Sequence, residues 1–131
     1  MRRTTLLLLA AFLAAAPAAA REQVSLTVTP PAGKIKLAET FKFSVEASLP
    51  ENYSIKPDTT AAEGSDFELL SFTKSGETKK DGRKTDTFEI KARAFALGIS
   101  TFPAISWRLG GEAPADAAVA SSSFTVEVLP L

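Results

Sequence analysis

Residues 40–48 read Thr-Phe-Lys-Phe-Ser-Val-Glu-Ala-Ser, and residues 85–95 read Thr-Asp-Thr-Phe-Glu-Ile-Lys-Ala-Arg-Ala-Phe. Through most of both stretches an apolar side chain alternates with a polar one. Successive side chains of a β-strand point to opposite faces of the sheet, so this period of two indicates strands with one face in a core and the other in water. We therefore predict that Phe43 and Phe88 face inward from two different strands.

Shorter stretches with the same pattern lie before, between and after these two. They begin at or near Val24, Ile35, Tyr53, Phe67, Ile99 and Ser123. Turn residues, mainly Pro, Gly and Asn, separate them. Residues 75–84 contain no apolar side chain and predict an exposed hairpin connection, after which residues 85–95 pair with the strand that begins at Phe67.

The pattern adds up to seven or eight short strands, and no window after residue 20 has a helical stripe. Short strands separated by turns every 8 to 12 residues or so are typical of an antiparallel β-sandwich of the immunoglobulin-like kind. A closed barrel is the alternative. Prolines at positions 50, 57, 103 and 114 favour the open sandwich, because proline is tolerated at sheet edges and corners.

The first twenty residues differ from the rest. Arg2 and Arg3 precede the apolar run 6–13, and small residues from Ala14 to Ala20 follow it. This is the three-part form of a secretory signal peptide. The sequence thus predicts a signal peptide over residues 1–20, one domain over residues 21–131, and a periplasmic or secreted protein. No later segment is long and apolar enough for a spanning helix, so stable membrane insertion is not expected.

Charge and cysteine content narrow the function classes. The chain has 15 basic and 15 acidic residues, and loss of Arg2 and Arg3 with the signal peptide leaves 13 against 15, a net charge of about −2. Nucleic acids and anionic membranes require a basic surface, so neither is an expected partner. Without cysteine the chain has neither disulfides nor the acylated cysteine of a bacterial lipoprotein.

The residues needed for most metal and nucleophile chemistry are missing. The chain has no His or Cys, and its one Met is Met1. We therefore expect no metal site, no cofactor and no Ser-His-Asp triad. Six acids remain as candidates for a glycosidase pair or a calcium site, although solvated surface charge is the commoner state of such residues. They are Glu63, Asp66, Glu68, Asp81, Asp86 and Glu89.

Two surfaces suggest binding. Trp107 and Tyr53 are candidates for a sugar-stacking platform, although a strand tryptophan in such a fold more often packs between the sheets. The eight Phe residues after residue 20 are assigned to the core. A basic cluster of Lys79, Lys80, Arg83 and Lys84 is either a solvated hairpin tip or a contact for an acidic partner.

The order of these features resembles the immunoglobulin-like repeats of the BatD family, bacterial "oxygen tolerance" proteins of the cell envelope. The likeness is carried by the strand 24–28, the segment 35–45 with Ala38 and Glu39, the segment 97–105 with Gly98 and Pro103, and the closing strand 123–128. The resemblance implies an envelope scaffold or interaction role, with no catalytic residue to transfer. Members of that family usually string several modules before a membrane-spanning helix, whereas this sequence contains one.

We therefore expect an exported, non-enzymatic module that binds an envelope protein. The run Val24 to Thr29, followed at once by Pro30 and Pro31, predicts an edge strand to which a partner strand could add. A carbohydrate-binding module that uses Trp107 and Tyr53 is the alternative, and a carboxylate-based hydrolase is a third possibility.

The missing imidazole and sulfur ligands generate a first prediction. A ligand raises the thermal midpoint only by binding the native state, so micromolar copper or zinc should leave the midpoint unchanged. Differential scanning calorimetry with and without metal measures this. A rise of several degrees that a chelator reverses would contradict it.

Overall fold

The computed structural model describes residues 23–131, so the predicted signal peptide lies outside the described residues. These residues form strands and turns, and they include no helix able to cross a membrane. The strands are β1 (Ser25–Thr29), β2 (Ile35–Lys36), β3 (Thr40–Pro50), β4 (Tyr53–Pro57), β5 (Phe67–Lys80), β6 (Arg83–Ala94), β7 (Gly98–Phe102), β8 (Ser106–Gly111), β9 (Ala118–Ala120) and β10 (Phe124–Leu129).

The first sheet has the order β1-β3-β6-β5, and every pairing in it is antiparallel. Its centre is the β3–β6 ladder, which runs from Thr40 opposite Arg93 to Pro50 opposite Arg83. These are the two stretches whose alternation is clearest in the sequence. The predicted pairing of β6 with the strand that begins at Phe67 is confirmed.

The second sheet consists of two ladders, β2-β10-β7 and β4-β8-β9. The two ladders are joined by a backbone hydrogen bond between the segments that interrupt them. Ser121 lies between β9 and β10, and Ile105 lies between β7 and β8. The N–H of Ser121 donates to the carbonyl of Ile105 at 2.9 Å. Therefore β7 and β8 act as one interrupted strand, and β9 and β10 as another. The described residues thus form ten strands, near the predicted seven or eight, and eight when each interrupted strand is counted once.

This strand order identifies the immunoglobulin-like sandwich. Apart from the short β2, the first, second, fifth and fourth strands form one sheet, and the third, sixth and seventh form the other. That is the constant-type immunoglobulin arrangement. The predicted fold is thus confirmed, and the barrel alternative is wrong because each sheet ends in its own edges. The parallel pairing of β2 with β10 departs from the expected all-antiparallel pattern.

The core lies between the sheets. Phe43 and Phe88 are both buried, as predicted. The Phe43 ring lies 4.9 Å from Phe102 and 5.0 Å from Phe124, centroid to centroid, and Phe88 lies 5.0 Å from Trp107. Edge-to-face and offset ring packing at these separations adds to the stabilisation from apolar burial. Phe95 is an exception to the assignment of Phe residues to the core, since its side chain is 51% exposed.

The prediction of a long hairpin connection over residues 75–84 is wrong. Strand β5 continues to Lys80 and β6 begins at Arg83, so the connection is the two-residue turn Asp81-Gly82. Both turn residues have positive φ, 54° and 78°, as the tight turns of β-hairpins require. Residues 73–80 have no apolar alternation because they are exposed at a sheet edge.

Ser121 fills a buried polar position beside Trp107. Its hydroxyl oxygen accepts from the indole N–H of Trp107 at 3.1 Å and from the N–H of Ile105 at 3.3 Å. The hydroxyl also donates to the carbonyl of Ile105 at 3.3 Å. One side chain therefore satisfies two donors at the point where the two ladders meet.

We predict that Ser121→Ala destabilises the domain by about 1–3 kcal/mol, because it leaves buried donors without an acceptor. Urea unfolding followed by tryptophan fluorescence gives the value. The matched control is Ser122→Ala, which alters an exposed neighbour and should change stability by less than about 0.5 kcal/mol. Equal effects of the two substitutions would show that the Ser121 contacts contribute nothing.

Candidate binding edge

Binding through a sheet edge requires a strand with unpaired backbone groups. In residues 23–131 the first sheet ends in β1 and β5, the ladder β2-β10-β7 ends in β2 and β7, and the ladder β4-β8-β9 ends in β4 and β9. Natural proteins protect such edges with charges, prolines, bulges or short strands. Strands β2 and β9 have two and three residues and are too short to accept a partner strand. Strand β7 has no charge or proline, but its first residue, Gly98, has a φ of 89°, outside the β region, so its regular edge is only four residues long. The β1, β4 and β5 edges differ in protection.

The β5 edge is protected in two ways. Its register with β6 shifts between Leu69 and Ser71 and again between Lys74 and Gly76. Such bulges twist a strand away from regular pairing. The exposed half of β5 also carries four charged side chains, Lys74, Glu77, Lys79 and Lys80.

Part of this charge points towards the sandwich interior. Asp86 of β6 lies between Ala47 and Glu77 on the inner face of the first sheet and is 3% exposed. Lys74 Nζ lies 3.4 Å from its Oδ1, and Lys84 Nζ lies 3.9 Å from its Oδ2. Inward-pointing charges oppose the addition of another strand, since a partner would have to cover them.

The same cluster links Lys74 to Glu77. Lys74 Nζ donates to Glu77 Oε1 at 2.8 Å, which raises the pKa of Lys74 and lowers the pKa of Glu77. Both side chains are partly exposed, so solvent weakens the pair.

The β4 edge is protected by its own sequence. Pro57 has no N–H to donate, and Lys56 adds a charge beside it. At the other end of the strand, the hydroxyl of Tyr53 donates to Gln23 Oε1 at 3.1 Å.

The β1 edge has none of these devices. Residues 25–29 carry no charge or proline, and their register with β3 is unbroken from Ser25 opposite Ser48 to Thr29 opposite Ser44. Leu26 and Val28 are half-buried on the inner face, whereas Thr27 is exposed on the outer face. The predicted edge position of this strand is confirmed.

Strand β1 is anchored at its start. Arg83 Nη2 donates to the carbonyl of Gln23 at 2.7 Å and to the hydroxyl of Ser48 at 3.1 Å. These bonds tie the chain before β1 to β3 and β6. The strand is therefore held against the sheet while its outer backbone groups stay free for a partner.

The structure does not form the predicted aromatic platform. Trp107 is fully buried between the sheets, with no ring face in solvent, whereas Tyr53 is half-buried at the β4 edge. A sugar stacks only on an exposed ring, so Trp107 is wrong as a binding residue. Its true environment is the core, where its indole meets Phe72, Phe88 and Ser121.

The basic cluster is divided among other contacts. Lys84 points inward with its side chain 12% exposed, Lys79 lies 3.9 Å from Glu51, and Arg83 holds the start of β1. In the part of the chain that the structure describes, Lys80 alone of the four has no such contact. The cluster is therefore not a continuous cationic surface.

The six acids do not converge either. Across residues 23–131, no group of three or more Asp or Glu side chains is arranged to hold a metal ion. Glu89 pairs with Lys42 at 3.8 Å on the outer face of the first sheet, and Asp86 joins the inward cluster. Asp86 could have been placed inward from the sequence, because it has the same parity along β6 as Phe88 and Ile90.

A shallow hollow of about 450 Å³ on the outer face of the second sheet was not foreseen. Lys56 and Arg108 stand directly opposite each other there, beside Asp58 and Asp116. Hydrogen bonds from the hydroxyl and N–H of Thr60 lower the pKa of Asp58, and Arg108 adds to the effect. Two cations and two carboxylates offset each other, so the hollow has no net charge to select an ion.

Comparisons with known proteins add little to this geometry. No family model and no curated protein matches the sequence. Among solved structures, the BIgI domain of beta protein from S. agalactiae bound to CEACAM1 is similar at 18% identity and a TM-score of 0.46. The alignment covers 82% of this chain and 98% of that one. Similarity at this level carries no argument, so the fold assignment rests on the strand order.

The Lys74–Glu77 pair gives a pH prediction. A carboxyl with a lowered pKa in the folded state contributes stability above its unfolded pKa of about 4, and this contribution is lost as the pH falls through the folded value. Glu77→Gln should therefore reduce stability at pH 6 and leave it nearly unchanged at pH 2. Urea midpoints at both pH values measure the difference.

Glu63→Gln is the control for this experiment. It removes an exposed carboxylate that has no ion pair within the described residues. If Glu63→Gln and Glu77→Gln change the pH dependence equally, the Lys74 contact has no role in it.

Proposed function

We propose that this chain is an exported, non-enzymatic binding module of a bacterial cell envelope that holds a partner protein at the β1 edge. The observation that carries the proposal is the contrast between edges. Strands β4 and β5 have proline, charge or bulges, whereas β1 is uncharged and regular. An unprotected edge exposes a domain to aggregation, so its retention is best explained by use.

Strand addition explains why the sequence has no conspicuous site. Backbone N–H and C=O groups of the added strand bond to those of β1 and provide affinity, and alternate side chains provide selectivity. A partner residue beside Leu26 or Val28 lies over the inner face and should be apolar. A residue beside Thr27 lies on the outer face and should be small or polar. No cofactor or nucleic acid is required.

Export is supported by the sequence before the described residues. The charged start, the apolar run and the Ala-rich exit of residues 1–20 predict a signal peptide, which leaves residues 21–131 as the domain. The location we propose is the periplasm or the exterior, and the resemblance to BatD-type repeats supports the envelope. That resemblance also favours a scaffold role.

The decisive experiment adds a charge to the β1 edge. Thr27→Lys places an ammonium on an exposed residue of the edge, where it should oppose strand addition while keeping the β1–β3 ladder. We expect at least about a tenfold loss in capture of envelope proteins by the immobilised chain, equivalent to about 1.4 kcal/mol. Captured proteins are identified and quantified by mass spectrometry.

Thr125→Lys is the matched control, because Thr125 is an exposed threonine on β10, which lies between β2 and β7 and is not an edge strand. It should capture as the parent does, and both variants should unfold within about 0.5 kcal/mol of the parent. Unchanged capture by Thr27→Lys would exclude the β1 edge as the binding site. Equal loss in both variants would attribute binding to overall charge.

A further inference from the structure

Strand β1 is complementary to itself. The strand has five residues, Ser25-Leu-Thr-Val-Thr29, with polar residues at both ends and at the centre and an apolar residue on each side of the centre. In an antiparallel pair, residues directly opposite each other point to the same face. Two copies of β1 related by a two-fold axis at Thr27 therefore place Leu26 opposite Val28 on the inner face, and Ser25 opposite Thr29 on the outer face.

No charge opposes this pairing. All five residues of β1 are uncharged, and the flanking positions would bring Gln23 of one copy near Pro31 of the other. The same operation on β5 would join two strands that each have two register shifts, between Leu69 and Ser71 and between Lys74 and Gly76. Such bulges twist a strand away from regular pairing. The regularity of the edges thus favours β1 over β5 for contact between copies.

Burial also favours this arrangement. Leu26 and Val28 are only partly buried in one copy, although both pack against the core. A second β1 would extend the inner face of the first sheet and cover these two side chains further. Removal of apolar surface from water contributes about 25 cal/mol per Å².

The length of the pairing is limited on one side. Pro30 has no N–H, and Pro31 follows it, so regular hydrogen bonding ends after Thr29. With residues 25–29 as the strand, full overlap of two copies centres the axis on Thr27. A two-fold contact of this kind closes on itself as a dimer, whereas pairing of β1 with a different edge is a head-to-tail contact that forms rings or open filaments.

We infer that two copies of this chain pair antiparallel through β1 and form one continuous eight-stranded sheet. The inference rests on the proposed function, since both use the free edge of β1, and it names a second copy as the strand that adds.

The chain has no cysteine, so a single introduced thiol reports this contact without competition. In Thr27→Cys the two thiols would sit opposite each other on the axis. Directly opposed Cα atoms in an antiparallel pair are about 4.5–5.5 Å apart, within the range of about 4.4–6.8 Å that a disulfide needs. Mild oxidation of Thr27→Cys should convert the chain to a covalent dimer on a reducing-agent-sensitive gel.

Ser25→Cys is the matched control. Its two thiols would lie four residues apart along the strands, about 13 Å, which is too far for a disulfide. It should stay monomeric on oxidation, but a mixture of Ser25→Cys and Thr29→Cys should give the mixed covalent dimer. This pattern fixes both the direction and the register of the pairing.

Light scattering on the parent supplies the non-covalent measurement. The mass should double as concentration rises, and Thr27→Lys should abolish the doubling because it opposes two lysines on the axis. A parent that stays monomeric at all soluble concentrations, together with equal cross-linking at positions 25 and 27, would overturn the inference.

The two proposals fail differently. If the parent is monomeric while Thr27→Lys still abolishes capture of another envelope protein, self-pairing is overturned and the proposed function stands. If Thr27→Cys cross-links and the parent dimerises while capture of other proteins is insensitive to Thr27→Lys, self-pairing stands and heterologous strand addition at β1 is overturned.

Discussion

The hydroxyl group of Ser121 holds together the two ladders of the second sheet. Both of its central strands are interrupted at the same level, and the side chain of Ser121 lies in the gap, where it bonds the indole of Trp107 and the backbone of Ile105. Loss of ladder hydrogen bonds at this level would otherwise leave buried backbone groups unpaired. Because Trp107 is fixed there, Phe72 and Phe88 of the first sheet have a rigid surface to pack against. An immunoglobulin domain more often uses a disulfide between the sheets, and this chain uses aromatic packing and a serine instead.

The sequence was most informative where one face of a strand is buried. Alternation located β1, β3, β4 and β6, because a core forces polar and apolar residues to opposite faces. It failed for the second half of β5, where both faces are exposed and hydrophobicity has no period. There the Asp81-Gly82 dipeptide was the available signal for a hairpin. The bond between Trp107 and Ser121 joins residues 14 positions apart across an interrupted sheet, and no local pattern indicates it.

The position of β1 at a sheet edge could be predicted from the sequence. Its lack of protection relative to β4 and β5 could not. Pro30 and Pro31 marked the end of β1 and suggested an edge. What distinguishes β1 is the comparison with β4 and β5, and that comparison needs the sheet order. Lys84 and Asp86 are charged, yet both have the same parity along β6 as the buried Phe88 and Ile90, and both point towards the interior. The interior of the sandwich is therefore polar near Lys84 and Asp86 and aromatic around Phe43.

The parallel pairing of β2 with β10 has a mechanical consequence. Residues that precede β2 and residues that follow β10 leave this pair at opposite ends, because the two strands run in the same direction. Tension along the chain therefore shears the pair, and its hydrogen bonds, with the added bond from the N–H of Leu37 to the carbonyl of Leu129, bear the load together. A hairpin pulled from its open end would lose its bonds one after another. The pair is two residues long on each strand, so these few bonds alone resist shear between the segment before β2 and the segment after β10.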